Sequence, residues 1–116
     1  MATRLSLKYV PEAGDIIWLN FDPQAGHEQA GHRPALVVSP SGYNGKTGLL
    51  VCCPLTTQIK GYPFEVLIQG KPPSAALADQ VKNLDWVARG ARLKGKVLGS
   101  ELAQVRGKMA ALIGKS

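Results

Sequence analysis

Two short, continuous apolar runs, Ala35 to Ser39 (ALVVS) and Leu49 to Leu55 (LLVCCPL), constrain this chain more than any other feature. Runs of this length and uniformity read as strands buried on both faces. In 116 residues they commit most of the available core to a sheet, and Trp18, Trp86, Phe21 and Phe64 supply anchors around it. One domain is expected, spanning residues 9–116, behind a flexible basic tail over residues 1–8. No apolar run approaches the roughly 18 residues a bilayer span needs. The first eight residues lack the apolar stretch of a signal peptide, so the expected compartment is the cytoplasm, with no membrane partner.

Other elements follow from local pattern. Asp15 to Phe21 reads as a strand closed by Asp22-Pro23, and Gln24 to His32 as a polar surface loop. A glycine-rich turn from Pro40 to Gly48 is expected to join the two apolar strands. Phe64 to Ile68 alternates like a half-buried strand, Ala76 to Val81 forms another after Pro72-Pro73, and Ala91 to Leu98 a last short one. Ser100 and Glu101 open a helix in which Leu102, Val105, Met109, Leu112 and Ile113 recur near helical spacing, and Gly114 closes it. The class is α+β and mainly β: a small, strongly curved barrel of five to seven short antiparallel strands with a C-terminal helix over one face. Its interior is too small to hide a cofactor, so none is expected and any chemistry belongs to loops on the rim.

Several familiar sites are excluded. Gly45-Lys46-Thr47 resembles the end of a Walker A loop, but Pro40 stands where the first glycine is required. His27 and His32 are five apart and Cys52 and Cys53 adjacent, neither a zinc-chelating spacing, so no metal site is expected. Adjacent strand residues point to opposite faces, so the two cysteines read as reduced packing residues that do not bridge each other.

More specific is Gly26-His27-Glu28-Gln29-Ala30-Gly31-His32-Arg33-Pro34, which puts a carboxylate, two imidazoles and a guanidinium just before a buried strand. Cutting RNA without a metal needs a base for the 2′-hydroxyl proton, an acid for the leaving 5′-oxygen, and donors for a dianionic phosphorane. Glu28 or a histidine suits the base, and Arg33, a planar fork of donors with permanent charge, suits the phosphorane. The same residues also fit an exposed Glu28–Arg33 ion pair that merely orders a loop. Pro54-Leu55-Thr56-Thr57-Gln58, followed by Lys60-Gly61-Tyr62, ends a strand in hydroxyl and amide groups that can hold a phosphate oxygen or simply cap a turn.

Together with Gly14-Asp15-Ile16-Ile17-Trp18, Phe21-Asp22-Pro23, Lys60-Gly61-Tyr62-Pro63-Phe64-Glu65-Val66 and Ala76-Leu77-Ala78-Asp79-Gln80-Val81-Lys82, these segments resemble the MazF/PemK family of bacterial toxins, near its MazF branch. The resemblance covers about residues 9 to 114. It implies an SH3-like barrel and a sequence-specific, metal-independent endoribonuclease that cuts single-stranded mRNA to 2′,3′-cyclic phosphate and 5′-hydroxyl ends, arresting translation. It also implies a homodimer, a MazE-like antitoxin with an acidic tail, and contact with operator DNA only through the antitoxin complex. By position, Arg33 becomes the catalytic arginine, Thr56 a hydroxyl stabilising the phosphorane and Glu28 the general base. The expected RNA contacts are His32, Gln58, Lys60, Lys82, Arg89 and Arg92. Two rivals remain: a CcdB-like gyrase poison on the same fold, and a non-catalytic RNA-binding barrel. A binder would ordinarily show more stacking aromatics than Trp18, Trp86 and three tyrosines provide.

Charge distribution agrees with a polyanion partner. Residues 1–70 carry five basic and five acidic side chains and residues 71–116 nine basic and three acidic, so the last two-fifths holds the entire net charge of +6. Between Trp86 and Ser100 there are Arg89, Arg92, Lys94 and Lys96 and no acid, a stretch suited to salt-sensitive phosphate contacts.

Overall fold

The computed structural model describes residues 9–21 and 32–114. Seven antiparallel strands precede a long helix: β1 (Asp15–Asn20), β2 (His32–Val37), a short helix α1 (Ser41–Thr47), β3 (Leu49–Thr56), β4 (Glu65–Ile68), β5 (Ser74–Leu77), β6 (Lys82–Asp85), β7 (Arg92–Lys96) and α2 (Gly99–Gly114). The sheet order is β4-β5-β3-β2-β1-β7, with β6 also paired to β3. One edge of β3 pairs with β2; the other pairs with β6 over Leu49 to Cys52 and with β5 at Leu55 and Thr56. Pro54, which has no amide to donate, lies at the change of partner. This switch curls the sheet into the expected barrel-like form.

Both apolar runs are buried on both faces. Leu36, Cys53, Leu55, Val66, Ile68 and Ala76 pack beneath Val105 and Met109 of α2, whereas Ile17, Leu19, Ala35, Val37, Leu50 and Cys52 pack on the opposite face against Tyr9, Phe21, Leu84 and Trp86. Each fully buried aliphatic side chain contributes about 1.5–3 kcal/mol, so these two clusters carry the fold. Cys52 and Cys53 are free and sit in different clusters, as strand alternation requires. Burial pushes both thiols up to about 12, so they stay protonated and inert near neutral pH.

Four local expectations are corrected. The segment from Pro40 to Gly48 is not a hairpin turn but α1, closed by Gly48 at φ 75°. So short a helix is not stable by propensity. It is held by the fully buried Asn44, whose Nδ2 donates to Pro11 O (2.8 Å) and Ser39 O (3.0 Å) and whose Oδ1 accepts from Ser39 Oγ (2.6 Å). Trp86 Nε1 donates to the Asn44 carbonyl at 2.9 Å, fastening the far cluster to the same point. The strand expected at Ala76 to Val81 instead ends at Leu77, and after a turn closed by Gln80 N to Leu77 O the chain forms β6. With one apolar residue, Leu84, β6 carries almost no strand signal and is recruited by pairing to β3. In α2, Leu102, Val105 and Met109 face the core as expected, but Leu112 and Ile113 are exposed, beyond the sheet's cover. His32 opens β2 and does not belong to a loop; the rest of the expected loop and residues 1–8 lie outside the described residues.

Asp15 is almost wholly buried and accepts bonds from Lys96 Nζ (2.6 Å), the Tyr9 hydroxyl and the Glu12 amide (3.0 Å). Burial alone would raise its carboxyl, but these bonds outweigh it and hold the group below its ordinary value. Lys96 is therefore committed to joining β7 to β1 and leaves the phosphate-binding set. No described helix is long and apolar enough to cross a membrane.

Candidate active site

Strand register brings together residues that the sequence separates. β2 and β3 pair Ala35 with Pro54, Leu36 with Cys53 and Val37 with Cys52. The paired register ends at Ala35 and Pro54; Arg33 and Thr56 each lie two residues beyond it, on the sheet face that holds Ala35 and Cys52. On its other side Arg33 pairs with the buried Leu19 of β1. Arg33 itself is exposed, so the sheet fixes its backbone while the guanidinium meets solvent. Thr56 ends β3, half-buried, and its Oγ1 accepts from the Gln58 amide at 3.0 Å. That local turn bond uses a lone pair and leaves the hydroxyl proton to donate.

Thr56 lines two grooves. The first, about 250 Å³, adds Gln58, Lys60, Tyr62, Glu65, Leu77 and Gln80. The second, about 270 Å³, includes Trp18, Pro34, Thr57, Lys71, Ser74 and Lys94. Lys94 Nζ stands 5.2 Å from the centre of the Trp18 ring, a cation–π contact that keeps the charge at the groove's wall.

The pleat divides the RNA contacts expected from sequence. Gln58 and Lys60 line the first groove directly. Lys82 pairs with Cys52 and so shares the face of Arg33 and Thr56; both Lys82 and Arg89 are close enough to Cys52 to oppose the effect of burial on its thiol. Arg89 spends Nη1 on the Asn20 carbonyl at 3.0 Å, closing the end of β1. His32 pairs with Asn20 and Arg92 with Trp18, which places both on the face of the second groove. His32 and Arg33, neighbours in sequence, therefore serve opposite faces. Glu28 lies outside the described residues. Among the described residues no group of three or more His, Cys, Asp or Glu is placed to hold a metal ion.

Sequence reasoning missed Gln80, Glu65 and Trp18 as groove residues, although all three fall within the segments that carry the family resemblance. Glu65 accepts from the amides of Lys60 (3.1 and 3.2 Å) and Gly61 (2.9 Å), and Tyr62 donates to Asp79 Oδ2 at 2.8 Å. The Asp79 bond holds the Tyr62 phenol above its ordinary value, so it remains a donor at neutral pH.

Known proteins carry the same arrangement of strands and motifs. Endoribonuclease toxin MazF of Escherichia coli K12 is 56% identical over 108 residues, which cover 92% of this chain and 97% of that protein. Endoribonuclease PemK of Escherichia coli is 32% identical over 108 residues, covering 88% of this chain and 81% of the relative. The crystal structure of MazE-MazF (Form-II) from Deinococcus radiodurans superposes with a TM-score of 0.86 at 51% identity, covering 94% of this chain and 100% of that one. Residues 12–113 match the PemK-like, MazF-like toxin of type II toxin-antitoxin systems, and the chain belongs to that family.

Proposed function

We propose that this MazF-like endoribonuclease toxin cuts single-stranded mRNA at the face shared by Arg33 and Thr56, without a metal, leaving 2′,3′-cyclic phosphate and 5′-hydroxyl ends. The observation that supports the reading is the β2–β3 register, whose last pair, Ala35 and Pro54, leaves Arg33 and Thr56 each two residues further on, with Thr56 lining a groove beside Gln58, Lys60 and Gln80. In the proposed reaction a base takes the proton of a ribose 2′-hydroxyl while that oxygen attacks the adjacent phosphorus. A pentacoordinate dianion forms, the bond from phosphorus to O5′ breaks, and O5′ takes up a proton. Arg33, which hardly gives up a proton, stabilises the equatorial oxygens as their charge grows, and the Thr56 hydroxyl adds a third donor. Glu28 is the proposed base. Gln58, Lys60 and Lys82 hold the strand beside the cut, while His32, Arg92 and Lys94 receive chain that crosses to the second groove; Arg89 joins them through its remaining donors.

The relatives solved as MazE-MazF complexes support a MazE-like antitoxin as partner; in this reading the toxin is a homodimer and an acidic segment of the antitoxin covers its basic face. Contact with operator DNA then comes only through that complex, and the working compartment is the cytoplasm, where mRNA is.

The reading is tested by incubating the purified chain with a long transcript in excess EDTA and sequencing the new 5′ ends. Cuts at one recurring short sequence, each bearing a 5′-hydroxyl, are expected. An intact transcript, or 5′-phosphate ends, would overturn it, and an intact transcript with poisoned gyrase would point to the CcdB-like activity instead.

A further inference from the structure

The segment from Thr57 to Phe64 carries Gln58 and Lys60 out over the first groove, yet it contains no helix or strand to stiffen it. It is instead fastened at three points. Both oxygens of Glu65 are taken up by the amides of Lys60 and Gly61, the Tyr62 hydroxyl reaches Asp79 Oδ2, and Lys108 Nζ of α2 donates to Pro63 O at 2.7 Å. Glu65 itself is fixed in β4 by its pairing with Leu77. Its groove position invites a role as a second catalytic carboxylate, but both of its oxygens are occupied by main-chain amides. Asp79 has a matching oddity: its other oxygen, Oδ1, is buried and has no hydrogen-bond partner among the described residues. A buried carboxylate oxygen left unpaired is costly, and such exceptions call for a purpose beyond packing.

We propose that Glu65 is a positioning residue of the cleavage reaction, with Asp79 as its second anchor through Tyr62: together they hold the arm bearing Gln58 and Lys60 rigid, so that RNA is bound without first ordering the loop. The proposal rests on the ribonuclease reading above and assigns it a further part. Preorganisation of this kind lowers the cost of binding more than it changes chemistry at Arg33 and Thr56.

The experiment measures kcat and KM on a short single-stranded oligoribonucleotide holding one mapped cut site, for Glu65→Ala, Glu65→Gln and Tyr62→Phe. Glu65→Ala raises KM about tenfold, the effect of losing a charge-assisted bond, with kcat little changed. Glu65→Gln, which keeps one acceptor oxygen, falls between it and the wild type. In a Gln58→Ala, Lys60→Ala background, Glu65→Ala adds less than about twofold, because residues acting through one another are not additive. A fall in kcat at constant KM, a full additional effect in that background, or unchanged kinetics in all three variants would overturn the proposal. Tyr62→Phe removes one exposed hydroxyl and carries the test if Glu65→Ala does not fold. Hydrogen exchange at the Lys60 and Gly61 amides reads the clamp without RNA, so failure of the clamp is told apart from failure of the ribonuclease reading: faster exchange in Glu65→Gln is expected, whereas unchanged exchange contradicts the proposal.

Discussion

Arg33→Ala lowers the rate of RNA cleavage about a thousandfold while leaving thermal stability unchanged. Removing one preorganised donor from a developing oxyanion costs about a hundred- to a thousandfold in rate, and an arginine that also supplies the permanent charge belongs at the upper end. The stability expectation comes from position. Arg33 is exposed at the open end of β2, and its neighbours Leu19 and Ala35 remain in the core whatever side chain stands between them. Exposed substitutions of this kind change stability by about 0.5 kcal/mol or less. Arg33→Lys separates charge from geometry: a lysine keeps the cation but loses the fork of donors, and recovers only part of the lost rate. Single-turnover rates at saturating protein, paired with melting curves, check both halves. Full activity in Arg33→Ala would remove the residue from the site, and a collapsed melting transition would make its role structural.

Asn44→Ala destabilises the fold by about 3 kcal/mol, the cost of leaving several buried polar groups without partners. Asn44 is fully buried on a helix of seven residues, and its side chain is the partner of Pro11 O, Ser39 O and Ser39 Oγ. Ser39 Oγ in turn accepts from the Val51 amide at 2.8 Å, so the network reaches into the middle of β3. An alanine removes the three bonds made by the Asn44 side chain and admits no water in exchange unless the helix opens. Chemical denaturation of the purified variant measures the loss. Because α1 joins β2 to β3 at the ends of those strands opposite Arg33 and Thr56, the folded fraction retains wild-type cleavage. A loss under about 1 kcal/mol would show that the network is not what holds α1.

These two residues also mark what could and could not be read from sequence. Arg33 and Thr56 stand out because each ends a strand that hydropathy alone identifies: Ala35 to Ser39 and Leu49 to Leu55 are buried as expected, and polar residues at their mouths have nowhere to go but the rim. What joins the two residues is register, a property of pairing that no local pattern encodes. The same pleat sends His32 and Arg92 to the far groove, although in sequence they belong with Arg33 and Arg89. Asn44 was hidden for a different reason. Gly42, Gly45 and Gly48 suggest a turn after Pro40, and side-chain bonds that join Asn44 to Ser39 and to the distant Pro11, with Trp86 on its carbonyl, stabilise a helix there. Lys96 is the converse case, a cation that charge counting assigns to RNA and that folding spends on Asp15.

One substitution in the substrate tests whether this face cuts RNA by attack of the substrate's own 2′-hydroxyl. An oligoribonucleotide with a single mapped cut site is compared with the same strand carrying one 2′-deoxynucleotide immediately before the scissile phosphate. The deoxy strand is expected to bind with unchanged affinity and to stay uncut. Cleavage of the deoxy strand at the same bond would contradict attack by the 2′-hydroxyl, because the oxygen assigned to attack phosphorus would then be absent.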